Sequence, residues 1–108
     1  MINYDDFKKV EMKIGKVLSA ERVEGSDKLL KLSVDFGEEN PRQVISGIGK
    51  YFDDLEKLAD KQFAFVTNLE PRSIMGFESQ AMIIAASTET DIAFFDAQET
   101  IPPGTPLK

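Results

Sequence analysis

The chain has 108 residues, 42% of them hydrophobic and 30% charged, and carries a net charge of −6 with neither cysteine nor histidine. That size supports one compact core, while the missing residue types exclude disulfides, thiol chemistry and the usual transition-metal ligand sets. No apolar run approaches the roughly 18 residues of a membrane span, and the opening Met1-Ile2-Asn3-Tyr4-Asp5-Asp6 is acidic rather than signal-like, so the expectation is a soluble, cytoplasmic protein with no metal, no cofactor and no membrane partner.

Val10, Met12 and Ile14 alternate with Glu11 and Lys13, after which Gly15 interrupts and Val17-Leu18 continue one residue out of phase. This predicts a long first strand with a bulge at the glycine. Glu24-Gly25-Ser26-Asp27 reads as a turn. Leu30, Leu32 and Val34 then alternate with Lys31, Ser33 and Asp35, giving a second strand with one polar face. Gly37 to Pro41 is a hairpin-like connection into a third strand, Arg42 to Ile48. Tyr51, Leu55 and Leu58 stand at helical intervals among Asp53, Asp54, Glu56, Lys57 and Asp60, which predicts a short helix. Phe63 to Thr67 reads as the fourth strand and Ala81 to Ala86 as a buried fifth. The elements together predict an all-β fold, a five-stranded OB-fold barrel with a short helix between strands 3 and 4. Such barrels are common oligonucleotide platforms.

Residues 87–108 are additional to that barrel. Ile92 to Phe95 makes a short apolar strand, and Ile101-Pro102-Pro103-Gly104-Thr105-Pro106 resists both helix and sheet interior. Phe94 and Phe95, adjacent in an extended chain, point to opposite faces, so that one packs inward and the other is left for a partner. The expected organisation is one domain over residues 1–108, with a core of about 9–86 and a C-terminal extension, 87–108, used in dimerisation.

Between the fourth and fifth strands lies Asn68-Leu69-Glu70-Pro71-Arg72-Ser73-Ile74-Met75-Gly76-Phe77-Glu78-Ser79-Gln80-Ala81-Met82, a loop that displays polar side chains around turns set by Pro71 and Gly76. Residues 13–31 carry five bases against three acids, so a locally basic face on an acidic body is compatible with a phosphate-bearing partner. Asp53, Asp54 and Asp60 offer paired carboxylates for catalysis, but neighbouring acids on a helix are ordinarily a solvated face and no second motif supports an enzyme.

Asp6-Phe7-Lys8-Lys9-Val10-Glu11-Met12-Lys13-Ile14-Gly15-Lys16-Val17, Gly25-Ser26-Asp27-Lys28-Leu29-Leu30, Ser46-Gly47-Ile48 and the Asn68 to Met82 loop follow one another in an order that carries a resemblance. The chain resembles the tRNA-binding domain family found at the C-terminus of many methionyl-tRNA synthetases, as free-standing homodimers and in cytokine-like synthetase cofactors. The resemblance implies a noncatalytic OB-fold homodimer that binds tRNA by shape and backbone, not DNA, as an accessory to a methionyl-tRNA synthetase catalytic domain. Lys13, Lys16, Lys31, Arg42 and Arg72 have the chemistry to neutralise phosphates, and Ser46, Asn68, Ser79 and Gln80 to hydrogen-bond sugars, bases or backbone. Each also has a purely structural reading: Asn68 as a cap on its own loop, Ser46 as satisfaction of a bulge, and Phe77 as a pin holding the loop on the barrel. Where family members commonly carry bases in this loop, Glu70, Ser73 and Met75 stand here, leaving Arg72 as its only positive charge, and Ala81 stands where glycine is usual. Weak, salt-sensitive binding is the expectation. The alternative is a secretion-related, chaperone-like peptide-binding dimer of the same fold.

Overall fold

The computed structural model covers Met1–Lys108. A single helical turn, α1 (Tyr4–Phe7), opens the chain, capped by the Asn3 side chain, which accepts from the Asp6 amide at 2.8 Å. β1 (Met12–Arg22) is long enough to serve two partners. Its first half pairs antiparallel with β4 (Gln62–Val66) and its second half with β2 (Leu30–Asp35), the two registers meeting at Lys16.

The bulge in β1 falls at Leu18, between the Val17↔Val34 and Ser19↔Ser33 pairs, and not at Gly15 as the alternation predicted. Gly15 is regularly paired with Phe63. Its missing side chain makes room for the core, since a Cβ there would lie 2.5 Å from Phe36 Cε1 and 2.6 Å from Val34 Cγ1. The extra residue at Leu18 resets the inward phase, so that Val17 is fully buried, Leu18 is exposed and Ala20 packs against the core.

β2 alternates as predicted, burying Leu30, Leu32 and Val34 completely. β3 (Arg42–Ser46) pairs with it and stops two residues short of the expected Ile48. The predicted helix is replaced by two separate 3-10 turns, Gly49–Tyr51 and Leu55–Lys57, with Phe52 and Asp54 extended between them. Two side chains break it. Asp54 accepts from the Glu56 amide at 3.0 Å and so starts a new turn, and Arg22 donates to the Gly49 and Phe52 carbonyls. Tyr51, Leu55 and Leu58 nevertheless all reach the core that their spacing suggested.

The expected fifth strand is also split. Only β7 (Met82–Ile83) pairs with β4, whereas β8 (Ala85–Ser87) turns away into a hairpin with β9 (Ile92–Phe94) and leaves Ala85 and Ala86 exposed. The reason is competition for an edge. The Ala64 amide donates to the Phe95 carbonyl at 3.0 Å and the Ala97 amide to the Gln62 carbonyl at 3.1 Å, so residues 95–97 occupy the rest of the β4 edge. Farther on, the Ile14 amide donates to the Thr105 carbonyl, and the Gly104 and Leu107 amides donate to the carbonyls of Ile14 and Met12. This tail pairs β1 where β2 has left it. Gly104, at φ +90°, permits the approach, because a Cβ there would overlap the Phe36 carbonyl oxygen. The C-terminal segment is thus part of the barrel wall.

The core is built from Val17, Leu30, Leu32, Val34, Val44 and Phe65, with Phe36 meeting Phe65 edge-on at 5.1 Å. Phe94 packs inward on Phe63 at 5.1 Å while Phe95 stays 54% exposed, as their adjacency predicted. The sheet order is β3-β2-β1-β4-β7. Its two edges meet where the Gln80 amide donates to the Gln43 carbonyl and the Ile45 amide donates to Ser79 Oγ, which closes an OB-type barrel. No helix is long and apolar enough to cross a membrane.

Candidate nucleic-acid interface

The Asn68 to Met82 segment, expected as an open loop, is a β-hairpin of β5 (Arg72–Ile74) and β6 (Phe77–Ser79). Met75 at φ +49° and Gly76 at φ +83° form its two-residue turn, the signature of type I′. Ile74 and Phe77 fold back onto a small cluster of Val23, Leu29 and Ile45 on the outer face of the sheet. At the tip, Met75 Cε lies against Gly25 in the β1–β2 turn. Phe77 therefore pins the hairpin to the barrel. In an OB barrel the strand 2–3 face and its two flanking loops form the oligonucleotide platform, and here both loops converge on that face.

Beside the hairpin runs a polar groove of about 260 Å³ whose lining includes Ser19, Glu21, Lys31, Ser33, Gln43 and Gln80. Strand register assembles it: Ser19, Ser33 and Gln43 stand opposite one another across three strands, and Glu21 stands opposite Lys31 in the next row. Lys31 Nζ sits 2.7 Å from the Glu21 carboxylate and 5.0 Å from the centre of the Phe77 ring, so it is held over the groove by both.

Four of the nine predicted side chains are engaged in hydrogen bonds within the chain, and only Ser79 of the four is buried. Arg42 forks onto the Glu38 carboxylate at 2.9 and 2.8 Å and also donates to the Thr67 and Gln80 carbonyls. The Glu38 hydrogen bond holds the guanidinium above its ordinary pKa, and the same bond holds the Glu38 carboxyl below its own. Asn68 accepts from the Glu11 amide at 2.8 Å and donates to the Lys9 carbonyl at 2.6 Å, which anchors the approach to β1. Ser79 is buried between the Ile45 amide and the Ala81 carbonyl. Gln80 Oε1 accepts from the Gln43 amide at 2.8 Å.

The other five lie in different places. Arg72 is exposed, makes neither ion pair nor hydrogen bond, and borders a small apolar pocket of about 60 Å³ formed by Ile45, Leu69, Ile74, Ala81 and Met82. Lys31 lines the polar groove. Lys13 pairs with Glu11 at 3.8 Å, Lys16 lies in a separate hollow among Asp35, Asp60 and Glu99, and Ser46 ends β3 opposite Leu30 with no side-chain hydrogen bond. The structure thus brings Lys31 and Arg72 to the hairpin and sets Lys13 and Lys16 away from the groove.

Residues 12–106 match the profile of a family described as "Putative tRNA binding domain". The chain belongs to this tRNA-binding domain family. It is 43% identical over 106 residues to the methionine–tRNA ligase of Caldanaerobacter subterraneus subsp. tengcongensis, covering 98% of this chain and 16% of the ligase. To the ligase of Methanothrix thermoacetophila it is 41% identical over its full length, again 16% of that protein. The chain spans about one sixth of the length of the curated relatives it matches. Among solved structures, a methionyl-tRNA synthetase related protein from Pyrococcus horikoshii superposes with a TM-score of 0.91 at 38% identity, covering 100% of this chain and 98% of that one. The chaperone CsaA of Bacillus anthracis superposes with a TM-score of 0.86 at 28% identity, covering 100% and 99%. The chain is therefore a tRNA-binding domain like that of methionyl-tRNA synthetase.

In this domain the sequence reading missed Ser19, Glu21 and Gln43. The alternation of β2 already turned Lys31 and Ser33 outward, but only register across three strands sets them beside those neighbours.

Proposed function

We propose that this tRNA-binding domain is noncatalytic and holds tRNA for a methionyl-tRNA synthetase catalytic domain, raising the local concentration of tRNA by tethering. The observation that carries this reading is the convergence of the hairpin and the β1–β2 turn on the β2–β3 face, with Lys31 over the groove and Arg72 unpaired on the hairpin beside the small apolar pocket. One unpaired cation, Arg72, and a Lys31 already paired with Glu21, on a body of net charge −6, make the electrostatic component small. For three or four phosphate contacts, affinity falls by about tenfold or more over a few-fold rise in salt. A gel-shift titration of bulk tRNA at low salt tests the reading. Replacing both Lys31 and Arg72 with glutamate weakens binding while the thermal transition is kept; unchanged affinity in that double variant rules this face out.

The domain further acts as a homodimer in the cytoplasm. Phe95, Ile101 and Leu107, exposed on or near the C-terminal segment, supply apolar surface for a second copy. Sedimentation at micromolar concentration distinguishes dimer from monomer. A chaperone-like peptide-binding role is the second reading, favoured by the likeness to CsaA and by the apolar pocket beside Arg72. Fluorescence competition between bulk tRNA and an unfolded peptide separates the two.

A further inference from the structure

The groove on the β2–β3 face is not built for phosphate. Both cations of its lining are already paired, Lys31 with the Glu21 carboxylate at 2.7 Å and Arg42 with the Glu38 carboxylate at 2.8 Å, and the other lining residues apart from Glu21 are neutral. The Ser19 and Ser33 hydroxyls make no hydrogen bond within the chain, although strand register sets them directly opposite each other. Gln43 donates through Nε2 to the Glu78 carbonyl at 2.9 Å, which leaves its Oε1 without a partner and fixes the amide's orientation. The Glu21 side chain is 64% exposed and has acceptor capacity beyond the single ion pair. With Lys31 and Arg42 held by their own carboxylates, the groove presents the remaining acceptor capacity of Glu21 and an amide oxygen, flanked by two hydroxyls able to donate or accept. That lining is complementary to a flat ligand edge rich in N–H donors.

Resting on the reading of the chain as a tRNA-binding domain, we infer that this groove takes an unpaired nucleobase through its amino-bearing edge, with Glu21 as the residue that accepts the exocyclic amine. A carboxylate accepting from the cytosine N4 amine is an established pairing, and unstacked bases of RNA are read on their Watson–Crick edges. Uracil, which presents a carbonyl oxygen at the same ring position, meets the carboxylate acceptor to acceptor and is disfavoured. The domain thus adds a base preference to backbone recognition.

Cytosine and uracil share ring size and stacking area, so short single-stranded oligocytidylate and oligouridylate isolate that one group. Fluorescence anisotropy at low salt, with bulk tRNA titrated in parallel, measures both. The wild-type domain binds oligocytidylate about tenfold more tightly than oligouridylate, and Glu21→Ala brings the ratio to within about twofold. Glu21→Gln, which keeps one acceptor oxygen, retains part of the preference. Equal binding of the two oligomers by a wild-type domain that still binds tRNA overturns the base-reading groove alone, as does a preference that survives Glu21→Ala. A uniform rise in affinity for both oligomers in Glu21→Ala, from an equal starting point, shows that Glu21 merely masks Lys31 and likewise overturns it. Failure of the wild-type domain to bind bulk tRNA overturns the parent reading as well.

Discussion

Gln43 and Gln80 hold each other twice: the Gln80 amide donates to the Gln43 carbonyl at 2.8 Å, and the Gln43 amide donates to Gln80 Oε1 at 2.8 Å. The second bond uses a side-chain oxygen where a neighbouring strand would offer a backbone carbonyl. A short fifth strand can thereby close the barrel, because one glutamine extends the ladder that β7 is too short to supply.

Gln80→Ala removes that oxygen and leaves the Gln43 amide to water. Unfolding in urea should show a loss of about 1 kcal/mol with an unchanged denaturant slope. A midpoint equal to that of the wild type means that the backbone bond alone secures the seam.

Asn68 and Arg72 separate structure from binding. Asn68→Ala breaks both bonds to the approach to β1 and should cost about 1–3 kcal/mol, read as a lower thermal midpoint, while low-salt tRNA affinity of the folded protein is kept. Arg72→Glu should do the reverse, since its guanidinium has no partner to lose. An Asn68→Ala protein of full stability but weakened tRNA binding reverses the assignment.

The Glu38 and Arg42 pair gives the protein an acid-sensitive component. The hydrogen bond from Arg42 depresses the folded-state pKa of Glu38 below its ordinary value of 4.5. The stabilisation is therefore fully present above that value and is lost as pH falls through the lower folded pKa. The stability gap between wild type and Glu38→Gln should be constant near neutrality and narrow only below about pH 4.5. Both side chains retain solvent contact, so the gap is modest. A gap that persists undiminished into strong acid assigns it to packing instead.

Met75 occupies a left-handed position that asparagine favours in a type I′ turn. Met75→Asn should stabilise the domain by about 0.5 kcal/mol, seen as a higher thermal midpoint. Destabilisation would show that the Met75 contact with Gly25 outweighs the turn preference.

Gly104→Ala brings a methyl group onto the Phe36 carbonyl and strains a φ of +90°. A loss of about 3 kcal/mol is expected, with faster amide exchange at Ile14 and Leu107, whose bonds lie along the same tail.

The sequence alone determined the all-β class, the inward residues of β2, the opposite facing of Phe94 and Phe95, and the ordered motifs that carry the family resemblance. These are local properties, written in a two-residue period and in turn chemistry. Tertiary structure decided where β1 bulges, that residues 49–57 break into two turns, and which polar side chains remain available. Arg42, Asn68, Ser79 and Gln80 read as surface donors and acceptors, yet their partners include residues 25 to 59 positions away. Lys31 reads as one basic residue among several, and is held over the groove only because Glu21 and Phe77 are folded against it. Hydrogen-bond satisfaction and charge pairing depend on which strands become neighbours, and that information is absent from any window short enough to show periodicity.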